Sequence, residues 1–254
     1  MNPTLTIALR AAKAAADKLA YVTNNLDVLT AEGDSHSFVV EQSLDDAAFR
    51  VKKILSNAYD GVKIFNAHES NNPTAEDKEY WYVNVLSGSN NFAIGFGYFC
   101  VIVSQYKLGK IENTVIVNPM TDEIYTASRG RGAQYNEKKI RIKQKREVHD
   151  CAIANFAQNG WEKDALFTRI TGCSVLDLCH LASGQFDAVF AQVTHPMELQ
   201  AALLVSSEAG ALSGSPQGAP INSTSIEALV SNAKLFKSLI VAKAPVAVIA
   251  TEEA

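Results

Sequence analysis

An α+β or layered α/β fold is what the sequence predicts, and three observations carry the prediction. Apolar residues recur at helical spacing over the first 22 residues, and aromatic and β-branched runs crowd the stretch that begins at Tyr80. Beyond Ser174, helix-like and strand-like segments alternate. Strands interleaved with helices in both halves imply that architecture. With 47% apolar and 20% charged residues, the 254-residue chain can bury a core, which excludes a disordered tail, a collagen-like fibre and a low-complexity scaffold.

Leu5, Ala8, Leu9, Ala12, Ala16 and Leu19 place an amphipathic helix over residues 3–22. The polar stretch Asn24 to Ser37 reads as a turn or hairpin. Asp45 to Tyr59 reads as a second helix, with Ala48, Val51, Leu55 and Tyr59 on one face. Strands follow at Trp81–Val83, Tyr98–Val103, Thr114–Val117 and Glu123–Ala127, with Asn118-Pro119 as punctuation. Gly130-Arg131-Gly132 turns the chain into Ala133–Tyr135, and Lys139–Lys145 alternates at period two as a half-exposed strand does.

In the second half, Ser174 to Ser183 reads as a helix ending at Gly184 and Ala188–Phe190 as a strand. Pro196 suits the first turn of a helix running to Glu208, with Gly210 placed to end it. Leu229-Val230 and Ala233–Val241 supply a last strand and helix. One unit spanning residues 1–254 is expected, divisible into an α+β part (1–148) and an α/β part (149–254).

No window reaches the roughly 18 uninterrupted apolar residues of a membrane span, the apolar stretch Ser238 to Ala250 being cut by Lys243 and Pro245. Arg10 and Lys13 follow the first apolar residues instead of preceding them, unlike a signal peptide, so the cytoplasm is the expected compartment. Cys100, Cys151, Cys173 and Cys179 form no C-x-x-C pair and no zinc spacing, and read as thiols of a reducing compartment. The net charge of -4 is uneven. Residues 107–146 carry ten Lys or Arg against four Asp or Glu, so the rest of the chain is strongly acidic.

The segment Trp81-Tyr82-Val83-Asn84-Val85-Leu86-Ser87-Gly88-Ser89-Asn90-Asn91-Phe92 resembles the W-x-x-D-P-x-D-G-T-x-N-F signature of the inositol monophosphatase family. Four further blocks agree in order and spacing. Residues 1–20 are similar to the opening of its bacterial SuhB-like branch. Asn118-Pro119-Met120 through Arg129-Gly130-Arg131-Gly132-Ala133 and Asn136 resembles its D-P…R-G-x-G-A-x-x-N run. Thr171-Gly172-Cys173-Ser174-Val175-Leu176-Asp177-Leu178 resembles T-G-S-A-A-L-D-L, and Pro196-Met197-Glu198 through Glu208-Ala209-Gly210 resembles P-W-D and its following helix. The resemblance covers nearly the whole chain. It implies a layered α/β/α/β/α sandwich, a homodimer, and Mg²⁺-dependent, lithium-sensitive hydrolysis of a phosphomonoester.

That chemistry needs carboxylates, because Mg²⁺ takes hard oxygen ligands and holding two ions close together requires several negative charges. The implied metal positions are His68, Asn84, Leu86, Ser87 and Glu198; His68 stands for Glu, Asn84 and Ser87 for Asp, and Glu198 for Asp. The implied catalytic positions are Ser89, for the Thr that positions water, and His68. Gly88, Ser89 and Glu198 are the implied phosphate- or substrate-binding positions, and the family's upstream substrate-binding Glu is Ala191 here. Either Asp45 or Asp46 matches a further family Asp. Three formal negative charges are thereby lost, which predicts weak or no Mg²⁺ binding. Backbone N–H groups after Gly88 could still cradle a phosphate. His180 reads as a satisfied, partly buried imidazole and His195 as a neighbour of the site; no Ser, His and Asp stand at triad spacing.

Lys138, Lys139, Arg141, Lys143, Lys145 and Arg146 form a basic stripe that reads as a solvated strand edge protected by charge or as a surface for an acidic protein partner or nucleic-acid phosphates, although no aromatic residues interleave for base stacking. Some bacterial members of the family are partners of the transcription elongation and antitermination machinery, a role independent of phosphatase activity. The leading reading is a binding or regulatory pseudo-phosphatase, taking a small phosphorylated ligand. The alternatives are an active phosphatase on inositol 1-phosphate or a related sugar phosphate with an atypical metal site, and a heterodimer with an intact paralogue.

Overall fold

Two helices lead the chain in the computed structural model, which describes residues 2–31, 36–69, 72–145, 147–156 and 163–241. Helix α1 (Pro3–Ala31) starts where the Asn2 side chain accepts the Thr4 N–H (2.8 Å), with Pro3 first in the helix. Its buried face is built of small residues, Ala8, Ala11, Ala12, Ala15 and Ala16 around Leu5 and Leu19, which lets α2 (His36–Ala58) approach closely. The turn expected over Asn24–Ser37 is corrected. Helix α1 continues to Ala31, and only Asn25 leaves helical angles (φ −125°, ψ 16°). Leu26 and Leu29 pack on the same core as Leu19, and this burial outweighs the weak local helix preference. Helix α2 likewise begins before Asp45; residues 32–35 lie outside the described ones.

A seven-stranded sheet follows in sequence order: β1 (Lys63–Asn66), β2 (Glu79–Ser87), β3 (Cys100–Lys107), β4 (Lys110–Asn118), β5 (Glu123–Ser128), β6 (Gly132–Tyr135) and β7 (Lys138–Lys139). Every pair is antiparallel except β1 with β2. The short helix α3 (Ser89–Ala93) leaves the end of β2. The strand expected over Lys139–Lys145 is corrected: pairing stops at Lys139. The next residues run over the ends of α5 and β12, where Ile142 N–H donates to the Ala209 carbonyl (3.1 Å) and Asn232 Nδ2 to the Lys145 carbonyl (2.7 Å).

The second sheet runs β11-β12-β10-β8-β9 and comprises β8 (Ala152–Asn155), β9 (Phe167–Arg169), β10 (Ala188–Gln192), β11 (Leu212–Gly214) and β12 (Glu227–Ser231). Helices α4 (Ser174–Ala182), α5 (Pro196–Glu208) and α6 (Ala233–Val241) complete it. Three apolar clusters define five layers. One lies between α1/α2 and the first sheet, one holds α4 and α5 between the two sheets, and one seats α6 on the outer face of the second sheet. The layered α/β reading holds. Its consequence is that β2, α3, α4 and α5 all present an end to one region.

Candidate functional site

Strand β2 is buried from Tyr80 to Ser87, so its polar residues Asn84 and Ser87 are carried into the interior by the apolar residues around them. Its pairing with β3 slips between Asn84 and Ser87, where the chain prepares to leave the sheet. Gly88 then takes φ +94°, and a Cβ there would stand 3.1 Å from the Tyr98 carbonyl and 3.2 Å from Cys173 Cβ. Opposite, Gly172 (φ +84°) leaves room for the Asn91 amide, which donates to the carbonyls of Tyr98 (2.7 Å) and Thr171 (2.9 Å). These contacts bring the first turns of α3, α4 and α5 around one cavity of about 150 Å³, edged by Ser89, Ser174 and Thr194.

Glu198 borders that cavity from the first turn of α5 and is 4% exposed. Its two oxygens are already engaged. Ser87 Oγ donates to one (2.8 Å) and Thr194 Oγ1 to the other (2.9 Å), while the Asn84 amide bonds to the same carboxylate. Burial pushes the Glu198 carboxyl above its ordinary pKa, and the three neutral donors pull against it. Asn84 is itself oriented by the Leu86 N–H, which donates to its Oδ1 (3.0 Å). Thr194 went unnoticed in the sequence. Its signal is the four-residue spacing to an acid in the third position of a helix, where carboxylates stabilise the helix start.

His68 stands at the exposed rim, bonded to Asn84; partial desolvation lowers its pKa, against the pull of Asn84 and of the nearby Asp45 charge. The charge of Asp45 is near enough to act on His68, while Asp46 is held by Lys18 (3.2 Å) and Arg50 (3.3 Å). Glu69 is ion-paired to Lys52. His195 caps α5, its Nδ1 accepting the Met197 N–H (3.2 Å) and its ring stacking on Tyr82. Among the described residues, no three His, Cys, Asp or Glu side chains gather as a metal cage.

The model of the inositol monophosphatase family matches residues 1–247. The chain belongs to that family. It is 32% identical over 228 residues to the Nus factor SuhB of Vibrio cholerae, covering 84% of this chain and 85% of that protein. The Nus factor SuhB of Pseudomonas aeruginosa is 28% identical over 260 residues, covering 94% and 95%. Among solved structures, the extragenic suppressor protein suhB of Bartonella henselae superposes with a TM-score of 0.82 at 23% identity, covering 93% of this chain and 97% of that one. Inositol monophosphatase from Anabaena gives 0.80 at 20% identity, covering 93% of both. These likenesses establish the inositol monophosphatase fold.

Within this family member, Leu86, Ser87, Gly88, Ser89 and Glu198 line the cavity, with Asn84 bonded to Glu198 and His68 bonded to Asn84. Ala191 is wholly buried in β10 and offers no polar group. His180, 7% exposed, lies away from the cavity: its Nδ1 is 2.9 Å from the Tyr98 hydroxyl and its Nε2 3.2 Å from Glu123. The Tyr98 hydroxyl donates to Asp177 (2.8 Å), which also accepts from Thr171 (2.8 Å). Burial raises the Asp177 carboxyl to about 6 despite those two donors. Burial also raises the thiols of Cys100, Cys151 and Cys179, as for inert structural cysteines.

Proposed function

We propose that this inositol-monophosphatase-family protein binds a small phosphorylated ligand and serves as a regulatory partner, without Mg²⁺-dependent phosphomonoesterase activity. The observation that carries the proposal is that Glu198 is the one carboxylate among the described residues lining the cavity, each of its oxygens accepting from a neutral hydroxyl of Ser87 or Thr194. The family is generally Mg²⁺-dependent. A two-ion Mg²⁺ cluster requires several anionic oxygens, and the positions His68, Asn84, Leu86, Ser87 and Glu198 supply one carboxylate, a neutral amide, a hydroxyl, a backbone carbonyl and an imidazole. That donor set does not fit the cluster. A cation at Glu198 would also compete with the bonds from the buried Ser87 hydroxyl and the exposed Thr194 hydroxyl.

An anion suits the same cavity better. The first turn of α4 offers backbone N–H groups and the positive end of its dipole, α5 adds the positive end of its dipole although its first N–H groups are bonded to His195, and Gly88 and Ser89 add the start of α3. With the family's other acids replaced, Glu198 is the one carboxylate among the described residues that line the cavity. A regulatory role is supported by the relatives described as Nus factors. Lys138, Lys139, Arg141, Lys143 and Lys145 are exposed and have no acidic partner among the described residues, so they suit an acidic protein surface; Arg146 lies outside the described residues. A homodimer is supported by the exposed Ile94 and Phe96 beside Leu166, Phe167 and Ile170, two segments joined by the Asn91 bond to Thr171.

The test is a metal-free thermal shift with inorganic phosphate. Phosphate should raise the melting temperature of the intact protein, and Ser89→Asp should abolish the rise by placing a negative charge in the cradle. No rise, or a rise indifferent to Ser89→Asp, would remove the cradle from the account. Reversing charge at Lys139, Arg141 and Lys143 should abolish partner capture and leave the phosphate effect intact.

A further inference from the structure

A second, independent cavity lies between the β5–β6 ribbon and the start of α1. Helix α1 packs over β2, β3 and β4 and leaves the β5–β6 ribbon uncovered on that face. Tyr125, Ala127 and Ala133 of the ribbon point into the core shared with α4 and α5. Thr126 and Gln134, which are cross-strand partners, therefore share the other face and border a groove of about 340 Å³ beside Asn2 and Leu5 of the α1 start. That volume is of the size that takes a small metabolite. The groove shares no residue with the Glu198 cavity.

Three polar side chains in this groove are unused among the described residues. The Thr126 hydroxyl has no hydrogen-bond partner although the residue is only 5% exposed, and the Gln134 amide and the Arg131 guanidinium have none either. The Thr126 hydroxyl is not sealed from solvent but opens onto the groove, where a ligand can reach it. Arg131 is held in place for such a contact, because Glu208 at the end of α5 accepts the backbone N–H groups of Gly130 (2.6 Å) and Gly132 (2.7 Å) on either side of it. The groove lining contains no carboxylate. A neighbouring depression of about 220 Å³ shares Asn2, Ser128 and Arg131 and adds Lys107 and Arg129; its one acid, Glu112, is tied to Arg129 (3.4 Å).

The geometry points to a second ligand site here, taking a small phosphate monoester with its phosphate on Arg131 and its polar body on Thr126 and Gln134. A guanidinium fork suits a phosphate, and the start of α1 adds favourable potential. Hydroxyl and amide groups on the ribbon suit a polyol, and Leu5 supplies an apolar wall. The site does not depend on what the Glu198 cavity does.

The experiment is a residue-resolved NMR titration of the full chain with glucose 6-phosphate, and with glucose as the uncharged control. Amide signals of Thr126, Arg131, Gly132 and Gln134 should move with glucose 6-phosphate and not with glucose. Arg131→Ala should weaken binding by about tenfold or more, Thr126→Val should weaken it less, and Ser89→Asp should leave it unchanged. The proposal is overturned if these amides stay still at millimolar ligand, if glucose binds equally well, if the shifts are confined to residues near Ser89 and Ser174, or if Arg131→Ala has no effect.

Discussion

Two buried carboxylates, Glu198 and Asp177, solve the same electrostatic problem in different surroundings. Asp177 in α4 is 2% exposed and accepts from the hydroxyls of Thr171 and Tyr98; Glu198 in α5 is 4% exposed and accepts from those of Ser87 and Thr194. Burial raises both carboxyls. The difference lies in what surrounds them. Asp177 is sealed into a chain of contacts through Tyr98 and His180 to Glu123, whose carboxyl, pushed up by burial, is nevertheless held low by His180, Thr121 and Tyr135. Glu198 adjoins a cavity of about 150 Å³. Asp177 is kept inside by two hydroxyl donors with His180 nearby, so the burial of Glu198 is not by itself a sign of a cation.

The largest expected effect is on the sealed side. Asp177→Ala should cost about 3 kcal/mol in urea denaturation, because the Thr171 and Tyr98 hydroxyls lose their acceptor where little water can enter. A loss no greater than that of Glu198→Ala would erase the distinction between the two regions. The next effect is on pH. The folded-state pKa of Asp177 lies at about 6, above its unfolded value of 3.8, so its protonated form stabilises the fold below the unfolded value and that stability is lost as pH rises through 6. Against Asp177→Asn, the wild type should lose about 2 kcal/mol more between pH 4 and 7. Parallel stability profiles for the two proteins would contradict this. Glu198→Ala should cost only about 1 kcal/mol, since water in the cavity can take over the bonds to Ser87 and Thr194. Smallest of all, charge reversal at Lys139 or Lys143 should change stability by less than about 0.5 kcal/mol, as both are exposed and unpaired among the described residues. A larger loss would show that the strip holds the fold together.

Much of this was legible in the residues. Pro196 and Glu208 bound α5 as its capping signals indicate, and the helices at Ser174 and Ala233 start where the apolar spacing places them. The continuation of α1 past Asn24 was hidden because Leu26 and Leu29 gain their value from a core that the local sequence does not display. The strand expected around Arg141 fails for the opposite reason: the alternation there is real, with Ile142 buried between exposed Arg141 and Lys143, but no strand lies beside it to complete a ladder. At the site, the motif positions identified Asn84, Ser87 and Glu198, yet only the fold reveals that Thr194 donates to the Glu198 carboxylate and that Asp46 is taken up by Lys18 and Arg50.

The most direct test of the central claim is a calorimetric titration of chelator-stripped protein with Mg²⁺, paired with phosphate release from inositol 1-phosphate. The lone Glu198 carboxylate, set among neutral donors, predicts no binding heat and no release. Saturable Mg²⁺ binding with turnover, both lost in Glu198→Ala, would contradict it and show that a single carboxylate with neutral oxygens can sustain the family's chemistry.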